Sequence, residues 1–421
     1  MTGRRWRVVT DAAITWSVAF LVALSAGRIT VWFDWLRDRQ RAGGLWWSAP
    51  VTLGVVVALA VVAVARTSPD TTDAHADGVR EGPYDLRSAP ARLAALFTGV
   101  GLGAPLGPDG PMLYLGGAAG SFVARHTGRP ERWLLLAAAT SALAMVIDAP
   151  VAAACFASEV ARRGAPRRRD LVPLVLGALA AWTALRLTGE VGGVVGADLG
   201  LTARQTAVGA VAIGLVAGLV GRLVVTIGRR AAALGRARGR LGRRVLGAIV
   251  LVGVVGPIAW SLTDAPIHLG GGEILREWAA HGSQPSVLAA TVAFGVAVFG
   301  LVASGLVGGL FLPLLSLGAL VGLLVGRAWL PDVPYAACVG IGACCLLAAA
   351  YGTPVTAAAL ALSSFGWSAG GWAALVAVVL ASSVAGERSI ARDQLPRSAG
   401  RRLRRPSVTW LGRRRGAHVR S

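Results

Sequence analysis

The chain has 421 residues, 55% hydrophobic and only 15% charged, against about 25% charged in an ordinary soluble domain, which argues against a water-soluble globule. There are 42 basic and 21 acidic side chains, a net charge of +21, and every basic residue is an arginine. The arginines sit in short tracts between long apolar runs, the distribution of cytoplasmic loops in a membrane protein, so no nucleic-acid partner is expected.

In chain order, the basic stretch from Met1 to Asp11 precedes an apolar run with no small-residue cleavage site, which reads as a retained membrane segment behind a basic cytoplasmic N-terminus, residues 1–10. A hydrocarbon core about 30 Å thick takes about 20 apolar residues per straight helix. The runs that qualify are 12–31, 46–65, 134–161, 171–187, 207–227, 245–262, 287–302 and 372–385. Two more stretches, 93–125 and 305–330, are apolar but interrupted by clustered glycine and proline, as in helices broken inside a membrane. The arginine tracts at 4–7, 162–169 and 229–244, with the tail from Arg388, are expected to face the cytoplasm, placing both termini inside. This gives a transmembrane domain over 11–388, with halves of about 11–190 and 205–388, and a basic tail, 389–421, attracted to anionic lipid and too short for a regulatory domain. Cys155, Cys338, Cys344 and Cys345 lie in apolar stretches and read as small buried hydrophobes, the histidines show no metal spacing, and no metal or cofactor is expected.

Internal repetition is the most informative feature. Pro111, Leu115, Gly116 and Gly120 recur at identical offsets as Pro313, Leu317, Gly318 and Gly322, and Arg125 corresponds to Arg327. Downstream, residues 142–154, with Asp148-Ala149-Pro150, resemble residues 346–358, with Gly352-Thr353-Pro354. Gly- and Ala-rich helices resemble one another by composition, but two matches in the same order indicate two related halves. In transporters such halves are commonly inverted and bring discontinuous helices together near the bilayer midplane.

A helix that begins inside the membrane leaves its first N–H groups without backbone partners, at several kcal/mol each in hydrocarbon. Those donors and the positive end of the helix dipole suit an anion. Pro111 and Pro313 fit first-turn positions, and the glycines before them allow tight turns and close approach by a ligand. Two such starts converging would cage an anion without a fixed cation and let it leave again. The same glycines and prolines also suit kinks and close helix packing.

Gly107-Pro108-Asp109-Gly110-Pro111, followed by Leu115-Gly116, resembles the Gly-x-Glu-Gly-Pro signature of the CLC chloride channels and proton/chloride antiporters. Gly308 to Pro313 is similar to that family's Gly-x-Phe-x-Pro signature, Gly270 to Ile274 to its glycine-rich segment, and Asp148 to Glu159 to the Asn-Ala-Pro segment and acidic helix end. The resemblance spans about 93–388. It implies an all-α polytopic membrane protein of two inverted-topology halves with discontinuous helices meeting at the midplane, assembled as a homodimer with a pore in each subunit. It also implies chloride or another small anion as the substrate, and no enzymatic activity. Carried over, Gly110, Pro111, Leu310, Phe311 and Leu312 would surround the anion, and Asp109 would take the gate position, where the family has a glutamate that competes with the anion.

Four departures bear on mechanism. Asp109 is one methylene shorter than the family glutamate, which implies altered or leaky gating, although an aspartate here also fits an ordinary N-cap. Val160 stands where many antiporters of the family carry a proton-transferring glutamate, which favours a passive channel over coupled exchange. Glu159 before it reads as structural, capping a helix or pairing with Arg162 or Arg163. The family's serine and late tyrosine are not recognisable: Thr71 or Thr72 supplies a substitute hydroxyl or belongs to a polar turn, and the tyrosine position falls near Ile390. Selectivity among chloride, nitrate, bromide and fluoride stays open, and a coupled antiporter, a non-transporting relative and a polytopic membrane enzyme remain as alternatives.

Overall fold

The computed structural model describes residues 2–67, 70–81, 84–162, 164, 166–189, 202–236, 241–265 and 273–391. Those residues build two successive runs of helices. The first comprises α1 (Thr2–Gly43), α2 (Ser48–Val64), α3 (Thr71–Glu81), α4 (Ala89–Ala95), α5 (Asp109–Thr127), α6 (Glu131–Ile147), α7 (Pro150–Glu159) and α8 (Leu171–Thr188). The second comprises α9 (Ala203–Arg236), α10 (Leu241–Val250), α11 (Gly256–Thr263), α12 (Glu273–His281), α13 (Gln284–Ser304), α14 (Phe311–Trp329), α15 (Tyr335–Tyr351), α16 (Pro354–Phe365) and α17 (Ala369–Ala385). Six membrane-length apolar segments occur among the described residues, and several apolar helices are shorter than a full crossing.

The two runs repeat the same packing. α5 lies along α6 as α14 lies along α15, and α1 packs on α6 and α8 as α9 packs on α15 and α17. The repeated glycines explain part of this. A Cβ on Gly116 would sit 2.7 Å from the Ala142 Cβ, and one on Gly318 would sit 2.8 Å from the Leu346 Cβ, so both helix pairs meet backbone to backbone. Arg125 and Arg327 also do equivalent work. The Arg125 guanidinium donates to the Tyr84 carbonyl at 2.6 Å, and that of Arg327 donates to the Gly282 carbonyl at 2.6 Å.

Sequence periodicity misplaces some boundaries. The run 134–161 is not one helix: α6 ends at Asp148, which turns left-handed at φ 49°, and Pro150 opens α7. Gly352 turns left-handed in the same way at φ 65° between α15 and α16, two helices that the apolar runs do not include. The short α3 carries Thr71 and Thr72 in its first turn, so that segment is a helix and not a polar turn.

Candidate functional site

The glycine loops ahead of α5 and α14 meet. Gly107 N–H donates to the Gly309 carbonyl at 2.9 Å, and Gly309 N–H donates back to the Gly107 carbonyl at 2.6 Å, an antiparallel bridge. Each glycine precedes its helix by two residues. Equivalent residues that pair antiparallel with each other are related by a local two-fold axis, as inverted halves require. The two helix starts therefore converge on this axis.

Asp109 opens α5 and is fully buried. Its carboxylate crosses to the other half, where Oδ2 accepts from the Phe311 N–H at 2.9 Å and Oδ1 from the Leu312 N–H at 3.3 Å. The aspartate thus caps the helix of the opposite half, and its negative charge lies between the amino ends of the two helices. Pro111 is buried in the first turn of α5, and Leu310 is the residue before α14. A side chain on Gly309 would run into the Asp109 carboxylate and the Gly110 backbone, so glycine here is a matter of space.

α3 supplies a third helix start. A Cβ on Gly110 would lie 2.9 Å from the Thr71 Oγ1 and 2.8 Å from the Thr72 Oγ1, which puts both hydroxyls beside that glycine. Thr71 Oγ1 is buried and has no hydrogen-bond partner among the described residues. Thr71, Thr72, Leu310 and Ile390 line a small cavity of about 50 Å³ together with Tyr351. Tyr351 ends α15 and is buried, lining this cavity beside Thr72 and Leu310. Its ring packs edge-on to Phe156 at 5.3 Å, and Phe156 packs edge-on to Phe311 at 4.9 Å. Sequence matching missed Tyr351 because it looked for the hydroxyl at Ile390, which lines the same cavity from a later part of the chain. The signal was Tyr351 just before Gly352 and Pro354 in the repeated segment.

Glu159 and Val160 end α7, both buried. Glu159 Oε1 accepts from the Val355 N–H at 3.1 Å, and its Oε2 accepts from the Thr356 N–H and hydroxyl at 2.8 Å each, while Arg163 lies outside the described residues. Glu159 caps α16 of the opposite half, as Asp109 caps α14. The segment Gly270 to Gly272 lies outside the described residues, as do the side chains of Glu273 and Ile274.

Comparison with known proteins identifies the family and the fold. Residues 51–386 match the family model described as voltage gated chloride channel. A chloride/fluoride channel protein of Pseudomonas syringae pv. tomato is 26% identical over 371 residues, 83% of this chain and 79% of that protein. A voltage-gated ClC-type chloride channel, ClcB, of Citrobacter koseri is 27% identical over 261 residues, 59% of this chain and 60% of that protein. Among solved structures, a CLC-type fluoride/proton antiporter superposes with a TM-score of 0.78 at 18% identity, covering 93% of this chain and 99% of that one. A slow cyanobacterial Cl⁻/H⁺ antiporter superposes with a TM-score of 0.74 at 21% identity, covering 90% and 96%.

Proposed function

Since the chain belongs to the voltage-gated chloride channel family, whose members carry anions across membranes, we propose that it conducts chloride passively through a pore in each subunit, with Asp109 as the gate. The observation that carries this is the Asp109 carboxylate on the Phe311 and Leu312 amides. A carboxylate held there is a tethered substitute for a permeating anion, and the pore conducts when the carboxylate is displaced or neutralised. Charge-assisted hydrogen bonds of this kind are worth about 1.5–3 kcal/mol each, enough to compete with a halide but not to exclude it permanently. Gly110, Pro111, Leu310, Phe311 and Leu312 form the walls, and Thr71 and Thr72 face the anion from α3.

Passive conduction is supported by Val160, which cannot carry a proton at the end of α7. The protein is taken to act as a homodimer with both termini in the cytoplasm, which the arginine tracts favour. Because the Pseudomonas relative is named for both chloride and fluoride, both ions belong in the assay. The test is anion efflux from proteoliposomes with simultaneous pH recording, for the wild type, Asp109→Ala and Asp109→Glu. Efflux without proton movement, accelerated in Asp109→Ala, is expected. Proton uptake driven by a chloride gradient would replace the channel with coupled exchange.

A further inference from the structure

α3 is an unusual helix for a membrane domain. Its sequence, Thr-Thr-Asp-Ala-His-Ala-Asp-Gly-Val-Arg-Glu, buries only Ala76 and Val79 as apolar side chains in the core, so hydrophobic packing alone does not set its depth. Polar anchors do. Asp70, just ahead of it, pairs with Arg236 of α9 at 2.5 Å, and Arg132 of α6 donates to the Val79 carbonyl near its end. The central anchor is His75, one turn after Thr71 and on the same face.

His75 is fully buried with both ring nitrogens engaged. Nε2 lies 3.0 Å from the Ala157 carbonyl of α7, and Nδ1 lies 3.1 Å from the Tyr84 hydroxyl. The carbonyl requires Nε2 to carry the hydrogen, so in the neutral ring Nδ1 is an acceptor and shares the one Tyr84 hydroxyl hydrogen with the Tyr114 carbonyl. The same Tyr84 hydroxyl lies 3.1 Å from the Tyr114 carbonyl of α5. Its ring stacks on Tyr114, with centroids 5.2 Å apart, and rests against Gly78, where a side chain would collide with it. The imidazole and the phenol together tie α3 to α5 and α7. One turn closer to the pore, the buried, unpartnered Thr71 hydroxyl points at Gly110.

We propose that His75 is a positioning residue for anion recognition: with Tyr84 it latches α3 against α5 and α7 and so holds the Thr71 hydroxyl at the distance from Gly110 that the passing anion requires. This rests on the proposed anion site. It makes a buried histidine a determinant of affinity and selectivity.

The test uses the full-length protein in proteoliposomes, measuring the chloride dependence of efflux and the chloride/fluoride preference. Tyr84→Phe keeps the ring on Gly78 and removes only the latch hydroxyl; His75→Gln keeps hydrogen-bonding capacity but not the geometry. Both are expected to raise the apparent KM for chloride about threefold to tenfold, the equivalent of one net hydrogen bond, with the maximal rate little changed. In a Thr71→Ala background neither substitution adds a further effect, because each acts through Thr71. Equal fold-changes in the wild-type and Thr71→Ala backgrounds would overturn the proposal, as would an unchanged KM and preference in Tyr84→Phe. Failure of the anion site itself is distinguishable: Thr71→Ala and Asp109→Ala would then both leave efflux as in the wild type. A His75 variant that fails to fold leaves Tyr84→Phe to decide.

Discussion

The carboxylate of Asp109, the first residue of α5, accepts the Phe311 amide of α14 at 2.9 Å, so an acid from one half caps a helix of the other. Removing that acid strips both helix starts of their resident charge. Asp109→Ala is therefore expected to raise chloride efflux and to flatten its pH dependence. In the wild type the sign is fixed by the charge: protonating Asp109 weakens its hold on the Phe311 and Leu312 amides, so efflux rises as the pH falls. Flux measured across a pH series in both proteins checks this, and an Asp109→Ala variant with the wild-type pH profile would remove Asp109 from the gate.

Gly309 has no room for a methyl group. Gly309→Ala drives a Cβ into the Asp109 carboxylate and the Gly110 backbone and must open the Gly107–Gly309 bridge to fit. Overpacking of this kind costs about 1–3 kcal/mol. A lower Tm in detergent, together with a several-fold change in chloride KM, is the expected outcome; wild-type values of both would contradict the close approach.

Glu159 differs from Asp109 in consequence. Its three accepted hydrogen bonds hold the start of α16. Glu159→Gln turns an amide NH₂ toward donors and is expected to cost about 1–3 kcal/mol of stability. Thermal melting reads the loss, while the pH profile of efflux stays that of the wild type. A changed profile would instead give Glu159 a part in proton movement.

Tyr351→Phe keeps the contact of the ring with Phe156 and removes the hydroxyl from the cavity that Thr72 and Leu310 also line. The fold should survive, while the preference among chloride, bromide, nitrate and fluoride should shift severalfold in competition efflux assays. Identical preferences would place the hydroxyl outside the anion path.

Much of the fold is legible in the sequence because the repeat is local. Pro111 with Gly116 and Gly120, and Pro313 with Gly318 and Gly322, mark α5 and α14 and their close packing without any knowledge of the partner helix. Asp109, Phe311 and Leu312 are singled out by the match of their segments to the family's signatures and not by the repeat itself. What the chain order hides is pairing across the halves. Nothing near Glu159 announces that its partners are Val355 and Thr356. Tyr351 reads as one more residue at a helix end until the fold brings it to Thr72. α3 is the hardest case: its polar sequence looks like a turn, and only the contacts of His75 with Ala157 and Tyr84 explain a helix there.

The most direct measurement is a crystal structure of Asp109→Ala grown in bromide, with the halide located by its anomalous scattering. Bromide is expected between the amino ends of α5 and α14, within hydrogen-bonding distance of the Phe311 and Leu312 amides and beside Gly110. A well-ordered crystal with bromide bound only elsewhere, or with none at that position, would contradict an anion site made from the two helix starts.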